Sequence, residues 1–185
     1  MKWDGKRLRQ AVLVGFMGAG KSSVGKILAE RLGAEFVDVD ARIEETAGKG
    51  IGEIFTSCGE GRFREMERAA IRNAVSAPGR VVAAGGGAFV DEANRQALKA
   101  YAPVVFLDVS VESVLERLSG DRSRPLFPVE KEAEKLRELM ERRRPAYQEA
   151  DFTVSTDGRT VPEIADRILA LLARRPVPRR EGGRG

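Results

Sequence analysis

The sequence contains no histidine and only one cysteine, Cys58, among its 185 residues. The lack of histidine excludes every acid–base mechanism and metal site that depends on an imidazole. A single cysteine cannot form a disulfide within the chain, which fits a reducing compartment, and we expect a cytoplasmic protein. Cys58 lies in the apolar stretch IGEIFTSCG. There the sequence favours a small core residue over a nucleophile, because no histidine can activate the thiol.

Long apolar runs are lacking as well. None approaches the roughly 20 residues that a membrane-spanning helix needs, so we expect no membrane partner. The N-terminal segment MKWDGKRLRQAVLVGFMGAG superficially resembles a signal peptide. Its apolar run is short, however, and Lys21 follows Gly20 directly, which a signal peptide does not explain.

The formal net charge of +4 is concentrated at the two ends of the chain. Residues 1–10 carry a net charge of +3 and residues 174–185 a net charge of +4, which leaves residues 11–173 with a net charge of −3. We therefore expect one domain over residues 11–173, a basic extension before it and a disordered Pro/Gly/Arg-rich tail after it. The tail could bind nucleic acid, but a solubilising role is favoured, and we expect no nucleic-acid partner.

Short apolar runs alternate with amphipathic stretches of helical period along the chain. The runs predict strands at residues 11–15, 35–40, 80–87, 103–109 and 152–156. The amphipathic stretches predict helices at residues 22–33, 60–77, 91–101, 110–120, 130–150 and 160–175, and a helix over 41–58 that is interrupted at Gly48 and Gly50. This alternation predicts an α/β fold, a three-layer α/β/α arrangement around a five-stranded parallel sheet.

The segment GFMGAGKSS, residues 15–23, fits the pattern G-x-x-x-x-G-K-[ST] and lies between a predicted strand and a predicted helix. Glycines in such a loop let successive backbone N–H groups point at an anion at the helix N-terminus. Lys21 would reach the β- and γ-phosphates, and the Ser22 hydroxyl would bind Mg²⁺. The alternative is a glycine turn with a solvated lysine. The favoured interpretation is a nucleoside triphosphate site formed by Gly18, Ala19, Gly20, Lys21, Ser22 and Ser23.

A triphosphate loop does not by itself define a reaction. The base-reading N-K-x-D element of GTPases is absent from the sequence. Two strand ends offer a carboxylate: VVFLD ends in Asp108, and VDVD contains Asp38 and Asp40. At this length, a small-molecule or nucleotide kinase of the P-loop kinase type is the leading class.

Six segments occur in the order and spacing found in shikimate kinases: GFMGAGKSSVGKILAERLG, FVDVDARIE, GEGRFREMER, VVAAGGGAF, RPLF and RRRPAY. The chain resembles this family over about residues 11–173. The resemblance implies transfer of the γ-phosphate of ATP to the 3-hydroxyl of shikimate, giving shikimate 3-phosphate and ADP in aromatic amino-acid biosynthesis. It also implies Mg²⁺ as cofactor, and we expect a monomer.

The resemblance implies roles for the two aspartates of VDVD. Asp38, together with Ser22, would hold the hydrated Mg²⁺, and Asp40 would contact the hydroxyl that attacks the γ-phosphate. A carboxylate suits this position because it can accept the hydroxyl proton and align the oxygen for in-line attack. The alternative for the pair is a solvated strand end.

The resemblance assigns the carboxylate of shikimate to Arg64 and Arg143. A guanidinium matches a carboxylate bidentately, whereas the alternative for each arginine is a surface charge on a helix. Arg143 is the aligned member of three consecutive arginines, residues 142–144, and a register error of one is left open. Glu67 lies three residues after Arg64 on a predicted helix, where it can hold the guanidinium.

The resemblance implies that backbone amides of the glycine triplet, Gly85, Gly86 and Gly87, bind substrate oxygens. Glycine permits close backbone approach to a ligand, although a plain strand-to-helix turn would also explain the triplet.

The segment at about 119–131 matches the mobile lid of the family. Arg124 in this lid would close over the phosphates as a catalytic residue. Arg117 matches the arginine that stacks on adenine. Pro162 is displaced by about one position from the proline that faces adenine in the family, so contacts on that side of the base are left open.

Two other functions are weighed against this one. A gluconate or nucleotide kinase of the same fold would share the loop but not the D-x-D together with both arginines and the glycine triplet. A non-catalytic regulator typically loses the lysine, the magnesium ligand or the acceptor aspartate. Lys21, Ser22, Asp38 and Asp40 are all present, which disfavours the regulator.

Overall fold

Five strands and seven α-helices alternate along the computed structural model of the chain, which describes residues 9–119 and 129–174. The strands are β1 (Ala11–Val14), β2 (Glu35–Asp38), β3 (Arg80–Ala83), β4 (Val104–Asp108) and β5 (Phe152–Ser155). The helices are α1 (Lys21–Leu32), α2 (Val39–Ala47), α3 (Ile51–Ala74), α4 (Glu92–Tyr101), α5 (Val111–Ser119), α6 (Val129–Tyr147) and α7 (Val161–Arg174). The outer parts of the basic extension and tail, and most of the expected lid with Arg124, lie outside the described residues.

All five strands are parallel and lie in the order β2-β3-β1-β4-β5. In the central strand, Val12 lies opposite Val82 on one side and Val104 on the other. Because the strands are parallel, their carboxyl ends meet at one edge of the sheet. The phosphate loop after β1, the aspartates after β2 and the glycine triplet after β3 therefore come together at that edge.

Two separate apolar cores cover the two faces of the sheet. Along β1 all four residues are fully buried, and they alternate between the cores as the strand period requires. Val12 and Val14 pack into the core that contains residues of α3 and α4. Ala11 and Leu13 pack into the core that contains residues of α1 and α7. The predicted three-layer α/β/α arrangement is confirmed.

The predicted strand over residues 35–40 is wrong in its last two positions. β2 ends at Asp38, because the side chain of that residue caps helix α2: its Oδ1 accepts from the backbone N–H of Asp40 at 3.1 Å and of Ala41 at 3.3 Å. Asp40 consequently lies in the first turn of a helix rather than at a strand end.

The predicted break near Gly48 is confirmed, since α2 ends at Ala47 and α3 begins at Ile51. The predicted end of one helix at residue 58 and start of the next at residue 60 are confirmed, because the two halves of α3 meet in a kink at Gly59, whose φ of 77° and ψ of 167° are not helical. The prediction that Cys58 is a core residue is wrong: it lies exposed in the last turn before this kink, whereas Ile54 of the same half is buried in the core and Ile51 packs against that core.

Among the helices of the described residues, none has the length and apolarity that would let it cross a bilayer.

One glycine of α1 is needed for packing rather than for backbone conformation. Gly25 is buried against β2, and a Cβ there would lie 2.3 Å from Cε2 of Phe36. Overpacking of this kind costs about 1–3 kcal/mol. That exceeds the roughly 1 kcal/mol that alanine gains over glycine in a helix. We expect Gly25→Ala to lower the melting temperature by roughly 2–6 °C in a calorimetric scan.

Gly52→Ala is the matched control, because the position is helical and no atom lies within 4 Å of the Cβ that alanine would add. This variant should melt at or slightly above the parent temperature. In a Phe36→Leu background the loss from Gly25→Ala should shrink. A Gly25→Ala protein that melts higher than the parent would contradict the packing argument.

Candidate active site

The phosphate loop joins the end of β1 to the start of α1. Gly15 has φ 144°, and a Cβ there would lie 2.6 Å from the backbone oxygen of Leu107, so only glycine fits. Gly20 occupies the N-cap of α1 with φ 86° and has no side chain to bind the first N–H groups of the helix. These free donors at a helix N-terminus, with Lys21 beside them, form an anion site.

Lys21 is folded back over its own loop. Its Nζ donates to the backbone oxygen of Gly15 at 3.0 Å and of Phe16 at 2.9 Å. Burial lowers the pKa of Lys21 to about 8, although the nearby charges on Asp40 and Asp38 oppose that shift. An anion bound in the loop would favour the protonated amine.

Ser22 and Asp38 bring two hard oxygen ligands together at the mouth of the loop. The Ser22 hydroxyl donates to Oδ2 of Asp38 at 2.5 Å, while Oδ1 of Asp38 caps α2. Within residues 9–119 and 129–174, no cluster of three or more His, Cys, Asp or Glu could enclose a metal ion. This donor set fits Mg²⁺, which is held by one or two protein oxygens and takes its remaining ligands from phosphates and water.

Of the two strand ends that offer candidate carboxylates, the structure places one in the cleft over the phosphate loop and the other outside it. A cleft over the loop is lined by Gly18, Gly20, Lys21, Ser22, Asp38 and Asp40. Asp108, at the end of β4, instead has its Oδ1 3.5 Å from Nη2 of Arg144. The D-x-D after β2 therefore supplies the carboxylates of the cleft.

Asp40 lies between the loop and the glycine triplet. A Cβ at Gly85 would lie 2.5 Å from Oδ1 of Asp40 and 3.1 Å from Oε1 of Glu67, so the carboxylates reach this position only because it is glycine. Burial raises the pKa of Asp40 above its ordinary value, and the charge of Lys21 opposes that shift. A carboxylate with a raised pKa is a better proton acceptor near neutral pH.

Arg64 is held by two carboxylates of its own helix. Its Nη1 donates to Oε2 of Glu67 at 2.9 Å, which confirms the predicted pairing. Its Nε and Nη2 donate to Oε1 of Glu60 at 3.3 and 3.0 Å. Burial raises the pKa of Glu67, and the hydrogen bond from Arg64 opposes that shift. The sequence analysis missed Glu60, although its i,i+4 spacing to Arg64 was a usable signal.

The two arginines expected to bind a carboxylate converge on the glycine triplet. A Cβ at Gly87 would lie 3.2 and 3.3 Å from Nη1 and Nη2 of Arg64 and 3.5 Å from Nη2 of Arg143. Nη1 of Arg143 donates to the backbone oxygen of Gly86 at 3.0 Å. Of the neighbouring arginines, Arg142 is exposed and Arg144 faces Asp108. The structure thus places Arg143, and neither neighbour, beside the triplet.

Tyr147 also contacts the glycine triplet, a contact that was not predicted from the sequence. Its side chain is buried, and its hydroxyl donates to the same Gly86 oxygen that accepts from Arg143. The ring stacks on Phe106 with centroids 4.9 Å apart. Four residues separate Tyr147 from Arg143 on α6, so both reach the triplet from one helix face.

The residues expected around the nucleotide base are only partly described. Nη1 of Arg117 donates to the backbone oxygen of Gly18 at 2.5 Å, which places this side chain beside the loop. Its contact with adenine stays a prediction, as does the closing role of Arg124, which lies outside the described residues. The backbone oxygen of Pro162 accepts from Nη1 of Arg31 at 3.2 Å.

Comparisons with known proteins agree with this geometry. A family model described as shikimate kinase matches residues 17–173. The shikimate kinase of Geobacter sulfurreducens is 49% identical over 164 residues, which span 89% of this chain and 91% of that protein. The shikimate kinase of Thermodesulfovibrio yellowstonii is 41% identical over 162 residues, which span 88% of this chain and 94% of that protein.

Among solved structures, the shikimate kinase of Acinetobacter baumannii in complex with shikimate superposes with a TM-score of 0.83. It is 42% identical, and the match covers 90% of this chain and 93% of that one. Sequence and fold therefore agree over nearly the whole of each protein, and the chain belongs to the shikimate kinase family.

Proposed function

We propose that this chain transfers the γ-phosphate of ATP to the 3-hydroxyl of shikimate, forming shikimate 3-phosphate and ADP for aromatic amino-acid biosynthesis in the cytoplasm. The observation that carries the assignment of residues is the convergence of Arg64 and Arg143 on Gly87, beside Asp40 and the phosphate loop. An anion clamp, an acceptor for a hydroxyl proton and a triphosphate cradle lie side by side. We propose that the chain acts as a monomer without a nucleic-acid partner.

The phosphate loop binds the triphosphate through the N–H groups at the start of α1. Lys21 leaves the two loop carbonyls that it contacts and pairs with the β- and γ-phosphates, which keep its amine protonated. Ser22 and Asp38 would hold Mg²⁺, which supplies neutralisation of the charge on the phosphates. Arg117 is assigned to the adenine side and Arg124 to closure over the phosphates.

Asp40 orients the acceptor hydroxyl and accepts its proton. Phosphoryl transfer passes through a loose transition state, so alignment of the attacking oxygen contributes at least as much as basicity. The glycine triplet brings substrate close to Asp40 because its backbone carries no side chain that would fill the space.

Arg64 and Arg143 bind the carboxylate of shikimate and thereby set which hydroxyl faces Asp40. Two guanidiniums at one position repel each other unless an anion lies between them. Glu67 is buried against Arg64 and offsets part of this repulsion when no substrate is bound.

The first prediction concerns the reaction itself. In a coupled assay with Mg²⁺ and ATP, ADP formation should depend on shikimate, because the clamp requires a carboxylate and the cradle a triphosphate. Gluconate at the same concentration, an anionic polyol, is the control and should give only background ADP release. Equal rates with gluconate, or no ADP with shikimate, would refute the proposed function.

The second prediction concerns Asp40. Asp40→Asn should lower kcat by ~10²–10⁴-fold, the range of a general base, because the amide cannot accept the hydroxyl proton. ATP binding, measured by calorimetry, should persist. Asp108→Asn is the matched control, because this strand-end carboxylate faces Arg144 instead of the cleft, and it should keep kcat within a few fold. Near-normal turnover in Asp40→Asn would show that Asp40 is not part of the chemistry.

The third prediction concerns the clamp. Arg64→Ala and Arg143→Ala should each raise the KM for shikimate about 10–150-fold, since each removes a charge-assisted contact worth roughly 1.5–3 kcal/mol. The KM for ATP should change much less. Arg142→Ala removes an exposed neighbouring arginine and should leave both constants near those of the parent. An unchanged KM for shikimate in both clamp variants would rule the clamp out.

A further inference from the structure

The side chain of Arg64 donates three hydrogen bonds to glutamates of its own helix, one each from Nε, Nη1 and Nη2. Arginine has five N–H groups, and a carboxylate can bind bidentately in the fork formed by Nε and Nη2 or along the edge formed by Nη1 and Nη2. Here Oε1 of Glu60 lies in that fork, 3.3 Å from Nε and 3.0 Å from Nη2. Nη1 is taken by Glu67 at 2.9 Å. An internal carboxylate thus occupies one edge of the guanidinium that is proposed to bind a substrate carboxylate.

The two glutamates differ sharply in exposure. The Glu67 side chain is 1% exposed and that of Glu60 is 68% exposed. A buried partner such as Glu67 is not readily exchanged, because its departure would leave an uncompensated charge in the interior. An exposed ion pair is weak, since water solvates both partners when they separate. Of the two partners of Arg64, Glu60 is therefore the one that an incoming anion can displace.

The backbone explains why Glu60 reaches this place. The kink at Gly59 ends the first half of α3, and Glu60 is the first residue of the second half. From there its side chain spans one helical turn to Arg64, the favourable i,i+4 order with the acid on the N-terminal side. The same position would let Glu60 stabilise the start of this half helix, which is the competing explanation for a glutamate there.

The charges around Arg64 predict how Glu60 changes the affinity of the site for a carboxylate. Arg64 and Arg143 supply two positive charges beside Gly87, and Glu67 and Glu60 supply two negative ones. These four charges sum to zero, and Asp40 beside Gly85 adds a further negative charge. Removing the charge of Glu60 makes the site more positive by one unit and weakens the hold of residue 60 on Arg64, both of which favour an arriving carboxylate.

We propose that Glu60 is an internal competitor for the substrate carboxylate, one that occupies the Nε–Nη2 fork of Arg64 and lowers the affinity of the site for shikimate. The proposal rests on the proposed clamp role of Arg64. In the free protein Glu60 keeps the guanidinium paired and oriented. Nη2 of Arg64 lies both beside Gly87 and in contact with Glu60, so on binding the substrate carboxylate competes for Nη2 and Glu60 moves into solvent.

The test compares Glu60→Gln with Glu65→Gln. Glutamine keeps the length and a hydrogen-bond acceptor but removes the charge. Glu65 is an equally exposed glutamate on the same helix that pairs with Arg62 at 2.7 Å, and it is the control. Shikimate Kd is measured by calorimetry without nucleotide, together with KM and kcat. We expect Glu60→Gln to lower Kd and KM about two- to fivefold, the ratio typical of an exposed ion pair. Glu65→Gln should change neither.

The remaining outcomes are decisive as well. A higher Kd in Glu60→Gln would mean that Glu60 prepares Arg64 for substrate, and an unchanged Kd with a lower melting temperature would mean that it serves only the helix start. Either result overturns the proposal. Arg64→Ala distinguishes failure of the proposed clamp from failure of the proposal about Glu60. If this variant binds shikimate normally, the proposed clamp is refuted. If it binds weakly and Glu60→Gln shows no gain, the role of Glu60 alone fails.

Discussion

Four charged side chains approach one short turn of backbone at the carboxyl end of β3, and the rest of the site depends on the room that this turn leaves. Asp40 and Glu67 lie against Gly85, and Arg64 and Arg143 lie against Gly87. None of the three glycines of the turn has a positive φ, so their backbone conformation is open to other residues. What excludes a side chain is space already taken, by charged groups at Gly85 and Gly87 and by the backbone of the phosphate loop at Gly86.

The charged side chains around this turn lie in pairs of opposite charge, and this pairing affects their pKa values. Lys21 and Asp40 oppose each other's pKa shifts, and the hydrogen bond from Arg64 opposes the rise that burial causes in the pKa of Glu67, so burial is partly offset at these positions. The two pairs, Lys21 with Asp40 and Arg64 with Glu67, lie next to each other at the edge of the cleft. Under the proposed function, the acceptor hydroxyl would face the phosphate there. Shikimate would add one carboxylate and ATP several negative charges, which the two arginines and Lys21 would meet separately. Each proposed substrate would then change the charge balance of a different part of the site.

Several features could be predicted from the sequence because they depend on residues that are close together along the chain. The phosphate loop depends on its backbone conformation and on the free N–H groups at the start of α1, and neighbouring residues set both. Its sequence pattern therefore sufficed to predict a triphosphate site. The pairing of Arg64 with Glu67 follows from helical spacing. The predicted strand through Asp40 was wrong because the capping bond from Asp38 starts a helix two residues earlier than apolar periodicity suggests. Cys58 was misplaced because the apolar stretch around it suggested burial, whereas in the structure Ile54 of that stretch is buried and Cys58 is exposed.

The sequence by itself determined the alternation of strands and helices, the triphosphate loop and, through six ordered segments, the family. These are properties of residues near one another along the chain, where spacing and backbone conformation suffice. Only the tertiary structure decided that Arg143, rather than either neighbour, faces the glycine triplet, that Tyr147 shares the Gly86 oxygen with it, and that Asp108 stays outside the cleft. Such contacts join residues from different elements. Their geometry depends on how α6 and the sheet pack, which no pattern along the chain encodes.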